Sequence, residues 1–380
     1  MVDEPAPDLS TCAEVPVFCA PRSDPSKAVV PDMTPSRALA PLPSQPTDTP
    51  WPTADWPEAN VPDHVDSGSL DRLLDLAFSD PAPTVMGETH AFLAVHRGRI
   101  VTERYWREYT ASDTYPSWSE AKSITHALVG ILAREGLVDV HAPADVPEWQ
   151  GADDPRRHIA LDQLLRMSSG LKFAEDYVDA GVSDVIEMLF GGGKDDVAGF
   201  AANFPLVHEP GSAWSYASGT TNIVARCAAR ALGAAGDDFR AWMFRELFEP
   251  IGIQSAQPKF DEQGTFIGSS FCYATARDFA RFGLLYMRDG VWNGQRILPE
   301  DWVDYARTPT KTPPTETLGY GAHWWLGMCG PGSFSANGYQ GQYTVLVPEL
   351  DLILVRHGNS MDEQGDEVRR WLAQVADCFR

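Results

Sequence analysis

The order of strand-like and helix-like segments is the feature that most limits how this chain can fold. Residues 91–96 and 100–106, joined by Arg97-Gly98-Arg99, have the composition and turn residues of a β-hairpin. Residues 137–250 then predict mainly short helices, separated by loops rich in proline, glycine and aspartate. Strand-like runs return at 322–326, 342–347 and 350–356. Strands, a helical block and strands again predict an α+β fold, in which a helical lobe is inserted into an antiparallel sheet.

This order also predicts the domain boundaries. We expect a proline-rich N-terminal arm over 1–60, an α/β sheet domain over 61–118 and 251–380, and a mainly helical lobe over 119–250. The arm is expected to be extended and held on the body by Trp51 and Trp56, with disorder as the alternative, because its prolines exclude helix and central strand. Further helices are expected at 70–77, 274–287, 299–306 and 366–379.

Composition and charge exclude several classes of function. The net charge of −23 repels nucleic acid and anionic membrane surfaces, and no run of about eighteen apolar residues could span a bilayer. Residues 1–7 are acidic and lack the basic and apolar regions of a secretory signal, so we expect a cytoplasmic protein, with an exported protein whose signal was removed as the alternative. The six cysteines lack the spacing of a zinc site and indicate reduced thiols, a Cys12–Cys19 bridge being the weaker alternative. We expect no metal, cofactor, nucleic-acid or membrane partner; the oligomeric state is left open, a homodimer included.

A serine and a lysine three residues apart are the first candidate for chemistry. Ser119 and Lys122 share one face of a predicted helix that ends at Gly136. A stripe of apolar residues buries this helix: Ile124, Leu128, Ile131 and Leu132. A buried lysine must find a partner or lose its charge, and a lysine with a lowered pKa can act as a general base. The pair therefore suits a serine nucleophile activated by a lysine.

The same spacing occurs a second time, at Ser169 and Lys172. Ser169 precedes Gly170 at the end of a short predicted helix, so we expect Lys172 to point outward without a catalytic role. There is no Gly-x-Ser-x-Gly motif, so a nucleophile elbow is not supported.

Two further segments could complete a site around Ser119. Tyr216 and Ser218 lie in a loop that enters a predicted helix, where the phenol could relay a proton and the hydroxyl could bind Lys122. Gly338 and Gly341 precede an apolar strand, where a backbone N–H could join that of Ser119 in an oxyanion hole. A buried tyrosine with a local partner and an ordinary glycine turn are the alternatives.

Three segments, taken in chain order, resemble the corresponding parts of one family. They are the Ser119–Lys122 pair, the segment with Tyr216 and Ser218, and the segment with Gly338 and Gly341. The family is the serine β-lactamase and penicillin-binding-protein superfamily, in the class C-like branch that contains esterases, peptidases and lactamase-related hydrolases. The resemblance covers roughly residues 65–380 and is carried by the segments 115–125, 161–170, 209–218, 274–283 and 337–342. It implies a β-lactamase/transpeptidase-like fold, an antiparallel sheet flanked by helices beside an all-helical lobe, with the active-site cleft between them.

The resemblance also implies a mechanism. Ser119 would be the nucleophile that forms an acyl-enzyme, Lys122 its activating base and Tyr216 the second proton carrier. The backbone N–H groups of Ser119 and Tyr339 would form the oxyanion hole. Gly338, Asn337 and Ser218 would lie around the substrate.

Within the branch, residues 175–179 resemble a segment of the 6-aminohexanoate-dimer hydrolases and their esterase relatives, which implies that Tyr177 contacts the substrate's amide; an exposed loop tyrosine is the alternative. Lactamases and peptidases of the superfamily carry Lys-Thr-Gly or His-x-Gly where this chain has Ala336-Asn337-Gly338. Because that cation is missing, we expect a metal-free serine hydrolase of small esters or linear amides. A β-lactamase or D-amino-acid peptidase is one alternative, and an inactive binding or sensor relative is another.

Overall fold

The computed structural model describes residues 39–176, 183–312, 314 and 318–380. Residues 39–380 form one compact unit. Most of the predicted N-terminal arm, both of its cysteines and the predicted site residue Tyr177 lie outside the described residues. The described end of the arm contacts the body as expected, because Trp51 packs on Trp292 and the Trp56 indole N–H donates to the Arg277 carbonyl at 3.1 Å. The division into a sheet domain and a helical lobe stays a prediction.

The strands of the described chain form three sheets, one of them large. They are β1 Glu88–His96, β2 Arg99–Tyr105, β3 Thr114–Tyr115, β4 Gln257–Pro258, β5 Cys272–Thr275, β6 Val291–Trp292, β7 Gln295–Arg296, β8 Gly319–Tyr320, β9 Trp325–Leu326, β10 Phe334–Gly338, β11 Gln342–Val347 and β12 Leu352–Asn359. Seven of them pair in the order β2-β1-β12-β11-β10-β9-β8, and every described pairing in this sheet is antiparallel. The predicted hairpin at 91–106 is thus confirmed, and the predicted α+β class with it.

The α-helices of the described chain are separated by loops and lie before, between and after the strands of the large sheet. They are α1 Ser67–Ala77, α2 Glu120–Arg134, α3 Leu161–Leu165, α4 Asp184–Phe190, α5 Val197–Ala202, α6 Ser218–Leu232, α7 Gly236–Met243, α8 Ala276–Met287, α9 Trp302–Arg307 and α10 Gly365–Asp377. A π-helical turn, Phe244–Phe248, extends α7. No helix among these residues is long and apolar enough to cross a bilayer.

Helices cover both faces of the large sheet. Alternate side chains of a strand point to opposite faces, and β1 follows this rule. Leu93 and Val95 join the core cluster that also holds residues of α2 and α8, whereas Phe92 and Ala94 join the cluster that holds residues of α1 and α10. Burial on both faces explains why β11 and β12 are almost continuously buried, with little alternation of polar residues.

Helix α2 lies inside the molecule, as its apolar stripe predicted. Its residues from Glu120 to Leu132 are all buried, and several of its polar side chains bond to neighbouring elements. The Ser123 hydroxyl donates to the His323 carbonyl at 2.7 Å, and the Thr125 hydroxyl donates to the Gly268 carbonyl at 3.0 Å. Gly136 has φ 72°, the left-handed conformation that ends a helix most easily with glycine.

Two predictions about the later strands need correction. The single strand predicted at 322–326 is wrong: β8 and β9 pair with each other across a turn that contains His323 at φ 54°. For β10, the sequence predicts only a glycine-bearing segment before a strand. Its sequence, Phe-Ser-Ala-Asn-Gly, has no apolar run, and it is a strand because it pairs with β11 along its whole length.

Candidate active site

The backbone of a tight turn places Ser119 at the start of α2. The Ser117 hydroxyl donates to the Ser270 carbonyl at 3.0 Å and accepts the Cys272 N–H at 2.9 Å, which fixes the turn to the neighbouring strand β5. Trp118 has φ 42°, a left-handed conformation that a bulky residue rarely adopts. Such strain is typical of functional sites. Ser119 follows directly and is half-buried.

The amine of Lys122 lies at the centre of the site. Its Nζ is 2.8 Å from Ser119 Oγ, 2.9 Å from Ser218 Oγ and 3.0 Å from the carbonyl oxygen of Ser269. The residue is only 2% exposed. Burial lowers the pKa of Lys122 to about 8, and the negative charge of Glu175 acts in the opposite direction. The predicted contact between Lys122 and Ser218 is therefore present, and burial lets this amine lose its proton more readily than an exposed lysine does.

Glu175 is a member of this cluster that sequence reasoning did not assign. Its carboxylate accepts the Ser218 hydroxyl at 2.5 Å and the Ser218 backbone N–H at 2.7 Å, at the first residue of α6. Carboxylates are favoured at helix N-termini because free N–H groups and the positive end of the dipole meet there. The only sequence feature that pointed to Glu175 is its position in residues 175–179, the segment in which Tyr177 was considered as a substrate contact.

Tyr216, from the same segment as Ser218, also lies beside Lys122. Lys122 Nζ lies 4.8 Å from the centroid of its ring, so the tyrosine ring and the amine are neighbours. The half-buried ring packs against Trp214, Tyr320 and Trp325, whose centroids are 5.3 to 6.3 Å away. This aromatic cluster, from two short strands and a loop, was not foreseen from the sequence.

Strand β10 passes directly beside the turn that carries Ser119. A Cβ on Gly338 would lie 2.3 Å from the Ser117 carbonyl oxygen, so only glycine permits this approach. The Tyr339 ring meets the Trp118 ring edge-on at 5.5 Å. Asn337 has a buried amide oxygen with no hydrogen-bond donor among the described residues. The structure therefore brings residues 337–339 to the turn that carries Ser119.

The second Ser-x-x-Lys pair has no such surroundings. Lys172 is exposed, and the Ser169 hydroxyl oxygen accepts the Leu171 N–H at 3.3 Å. The prediction that Lys172 points outward is confirmed. Among the residues that the structure describes, no three His, Cys, Asp or Glu side chains are grouped to hold a metal ion.

A comparison with protein families decides the relationship. The family model named Beta-lactamase matches residues 87–377. The chain belongs to the beta-lactamase family. This membership confirms the resemblance inferred from the motifs, and with it the predicted fold and the predicted class, a serine hydrolase of the β-lactamase-like superfamily.

Individual relatives of this family member agree with the assignment. The 6-aminohexanoate-dimer hydrolase of Paenarthrobacter ureafaciens is 25% identical over 303 residues, and the match covers 74% of this chain and 75% of that protein. A Bacillus anthracis protein assigned as a 6-aminohexanoate-dimer hydrolase has a similar structure, with a TM-score of 0.68, 23% identity and coverage of 90% and 91%. A family VIII carboxylesterase follows with a TM-score of 0.62, 17% identity and coverage of 84% and 99%. The two structural likenesses establish the fold alone.

Proposed function

We propose that this protein hydrolyses small esters or linear amides through an acyl-enzyme on Ser119. The observation that carries the proposal is the set of three hydrogen bonds around Lys122 Nζ. A neutral amine keeps two N–H groups and one lone pair, so one of its three partners must become a donor. The Ser269 carbonyl can only accept, and the Ser218 hydroxyl donates to Glu175. The Ser119 hydroxyl is the partner left to donate, and its proton then points at the base.

The proposed reaction follows from this arrangement. Ser119 Oγ attacks the substrate carbonyl while its proton passes to the neutral Lys122. The backbone N–H groups of Ser119 and Tyr339 stabilise the negative oxygen. Tyr216, beside the amine, carries the proton to the leaving group, and water then hydrolyses the acyl-enzyme by the same groups in reverse. Two observations support this placement of the oxyanion hole: the left-handed backbone of Trp118 and the close approach of Gly338 to the Ser117 carbonyl.

The substrate class is proposed from what the site lacks and from the named relatives. Ala336, buried in β10, stands where superfamily members that act on β-lactams carry a cation, so a substrate carboxylate finds no partner there. The relatives include a 6-aminohexanoate-dimer hydrolase, named for a linear amide, and a carboxylesterase. Both chemistries are compatible with an acyl-enzyme on Ser119, and neither requires that cation.

The proposal is tested by steady-state turnover of three substrates: p-nitrophenyl butyrate, the linear 6-aminohexanoate dimer and nitrocefin. We expect the ester or the amide to be hydrolysed with a kcat/KM at least about tenfold above that for nitrocefin, which corresponds to one lost ionic contact. Ser119→Ala, assayed in parallel, gives the background. Nitrocefin turnover equal to the better of the other two would favour the β-lactamase alternative. Failure of a fluorophosphonate probe to label Ser119 would favour an inactive relative.

The pH dependence follows from the charges that face Lys122. Because the neutral amine is the active form, kcat/KM should rise with pH through an apparent pKa of about 8. His323, a further titratable neighbour, has a pKa lowered to about 3 by burial and stays neutral in this range. Glu175→Gln removes the negative charge that favours the protonated amine, so the rise should move to lower pH. Glu175→Asp, which keeps the charge, should stay closer to the wild type. A shift to higher pH in Glu175→Gln would contradict this account.

The remaining assignments stay predictions: Tyr177 as a contact to the substrate amide, a homodimer and a cytoplasmic location.

A further inference from the structure

The loop between β10 and β11, residues Tyr339–Gly341, is held in place along its backbone. The side-chain amide of Gln342 donates to the Tyr339 carbonyl at 3.1 Å. The buried guanidinium of Arg356 donates to the Gly341 carbonyl at 2.7 Å, and the Ser360 N–H donates to the Gln340 carbonyl at 3.0 Å. The carbonyls of three successive residues are thus fixed, which leaves this loop little freedom to adjust.

A side-chain hydrogen bond links this loop to the turn that carries Ser119. The Trp118 indole N–H donates to Gln340 Oε1 at 3.2 Å, across 222 residues of sequence. Both residues are half-buried, and both have left-handed backbones, with φ 42° at Trp118 and φ 58° at Gln340. Each is next in sequence to one of the two residues whose N–H groups we place in the oxyanion hole: Trp118 precedes Ser119, and Gln340 follows Tyr339.

We propose that Trp118 and Gln340 are a positioning pair, whose hydrogen bond sets the separation of the two oxyanion N–H donors. This inference rests on the proposed function. Two donors stabilise a developing oxyanion only if both lie about 2.7–3.1 Å from the same oxygen, and small displacements of a reacting group are costly. The donors belong to separate segments, one at the start of α2 and one after β10. A link one residue from each donor is therefore well placed to hold them together.

The ring of Trp118 also packs, so the hydrogen bond must be separated from packing. The indole contacts Tyr339 edge-on at 5.5 Å and Phe271 at 5.7 Å. Trp118→Phe keeps an aromatic ring but removes the donor, and Gln340→Met keeps the length of the side chain but removes the acceptor. The double variant completes a thermodynamic cycle. Trp292→Phe is the matched control, because it removes an indole hydrogen bond, to Thr53 at 2.8 Å, away from the site.

The measurement is steady-state hydrolysis of p-nitrophenyl butyrate, together with the rate of labelling by a fluorophosphonate and the melting temperature. Each single variant should lower kcat about ten- to a hundredfold with KM within about threefold, because the pair acts on the transition state rather than on substrate binding. The double variant should be no slower than the slower single variant, since both remove the same hydrogen bond. Trp292→Phe should keep the wild-type kcat.

Other outcomes overturn the inference. Unchanged kcat in Gln340→Met, effects that multiply in the double variant, or a change confined to KM or to melting temperature would each show a merely structural role. If Trp118→Phe does not fold, Gln340→Met alone decides. Failure of the proposed function is distinguishable: Ser119→Ala would then retain ester hydrolysis, whereas here activity stays dependent on Ser119 and only the effect of the pair is lost.

Discussion

Replacing Lys122 by methionine should lower kcat/KM for a p-nitrophenyl ester by about a thousandfold, which is within the usual effect of removing a general base. Methionine nearly matches the length of the aliphatic stem but cannot take the Ser119 proton, and it removes a hydrogen bond of 2.8 Å to the nucleophile. The fold should tolerate the change, because the residue is 2% exposed and its charged form is costly to bury. Melting temperature and ester turnover, measured together, separate the two effects.

The chain supplies a matched control for this change. Lys172 occupies the same position relative to Ser169 that Lys122 occupies relative to Ser119, but its side chain is exposed. Lys172→Met should therefore keep the wild-type kcat/KM. Retention of more than about a tenth of the activity in Lys122→Met would exclude the lysine as the base, since a general base contributes at least about a hundredfold.

Gly338→Ala should cost at least about a hundredfold in kcat, comparable to the loss of one oxyanion donor. The added Cβ would lie 2.3 Å from the Ser117 carbonyl oxygen, 3.0 Å from Gln342 Cβ and 3.2 Å from Trp118 Cβ. Two of these atoms belong to the turn before Ser119, so β10 must move away from that turn and take the Tyr339 N–H with it. The variant should also melt at a lower temperature, because overpacking a fitted contact is destabilising.

Gly68→Ala is the control for this substitution. Its Cβ would meet Arg72 and Asp66 side-chain atoms at 3.6 and 3.7 Å, which are ordinary contacts, in the first turn of α1. We expect wild-type kcat from it. A wild-type kcat in Gly338→Ala as well would mean that the approach of β10 to the turn has no part in the chemistry.

Local regularities made part of the site predictable from the sequence. Helical spacing places Ser119 and Lys122 on one face, and an apolar stripe buries that helix, so the sequence by itself requires a partner for the lysine. Likewise, composition and turn residues located the hairpin, and the residues of β11 matched their prediction without error. The strand predicted at 322–326 failed because an apolar segment of five residues does not reveal whether it runs straight or turns.

The rest of the site depends on contacts that leave no periodic trace. Glu175 meets Ser218 across 43 residues, the Ser269 carbonyl meets Lys122 across 147, and Trp118 meets Gln340 across 222. Each contact involves a loop residue or a main-chain atom whose direction is set by the tertiary fold. A carbonyl oxygen cannot be singled out in a sequence at all, and a glutamate in a polar loop is usually a solvated side chain.

The central claim, an acyl-enzyme on Ser119, is tested most directly by trapping it. The protein is mixed with excess p-nitrophenyl ester, quenched in acid within the first turnovers and examined by intact-mass spectrometry and peptide mapping. The account predicts a mass increase of one acyl group, located on Ser119, and no increase in Ser119→Ala. An acyl group on Ser169 or elsewhere, or ester hydrolysis that continues undiminished in Ser119→Ala, would contradict it.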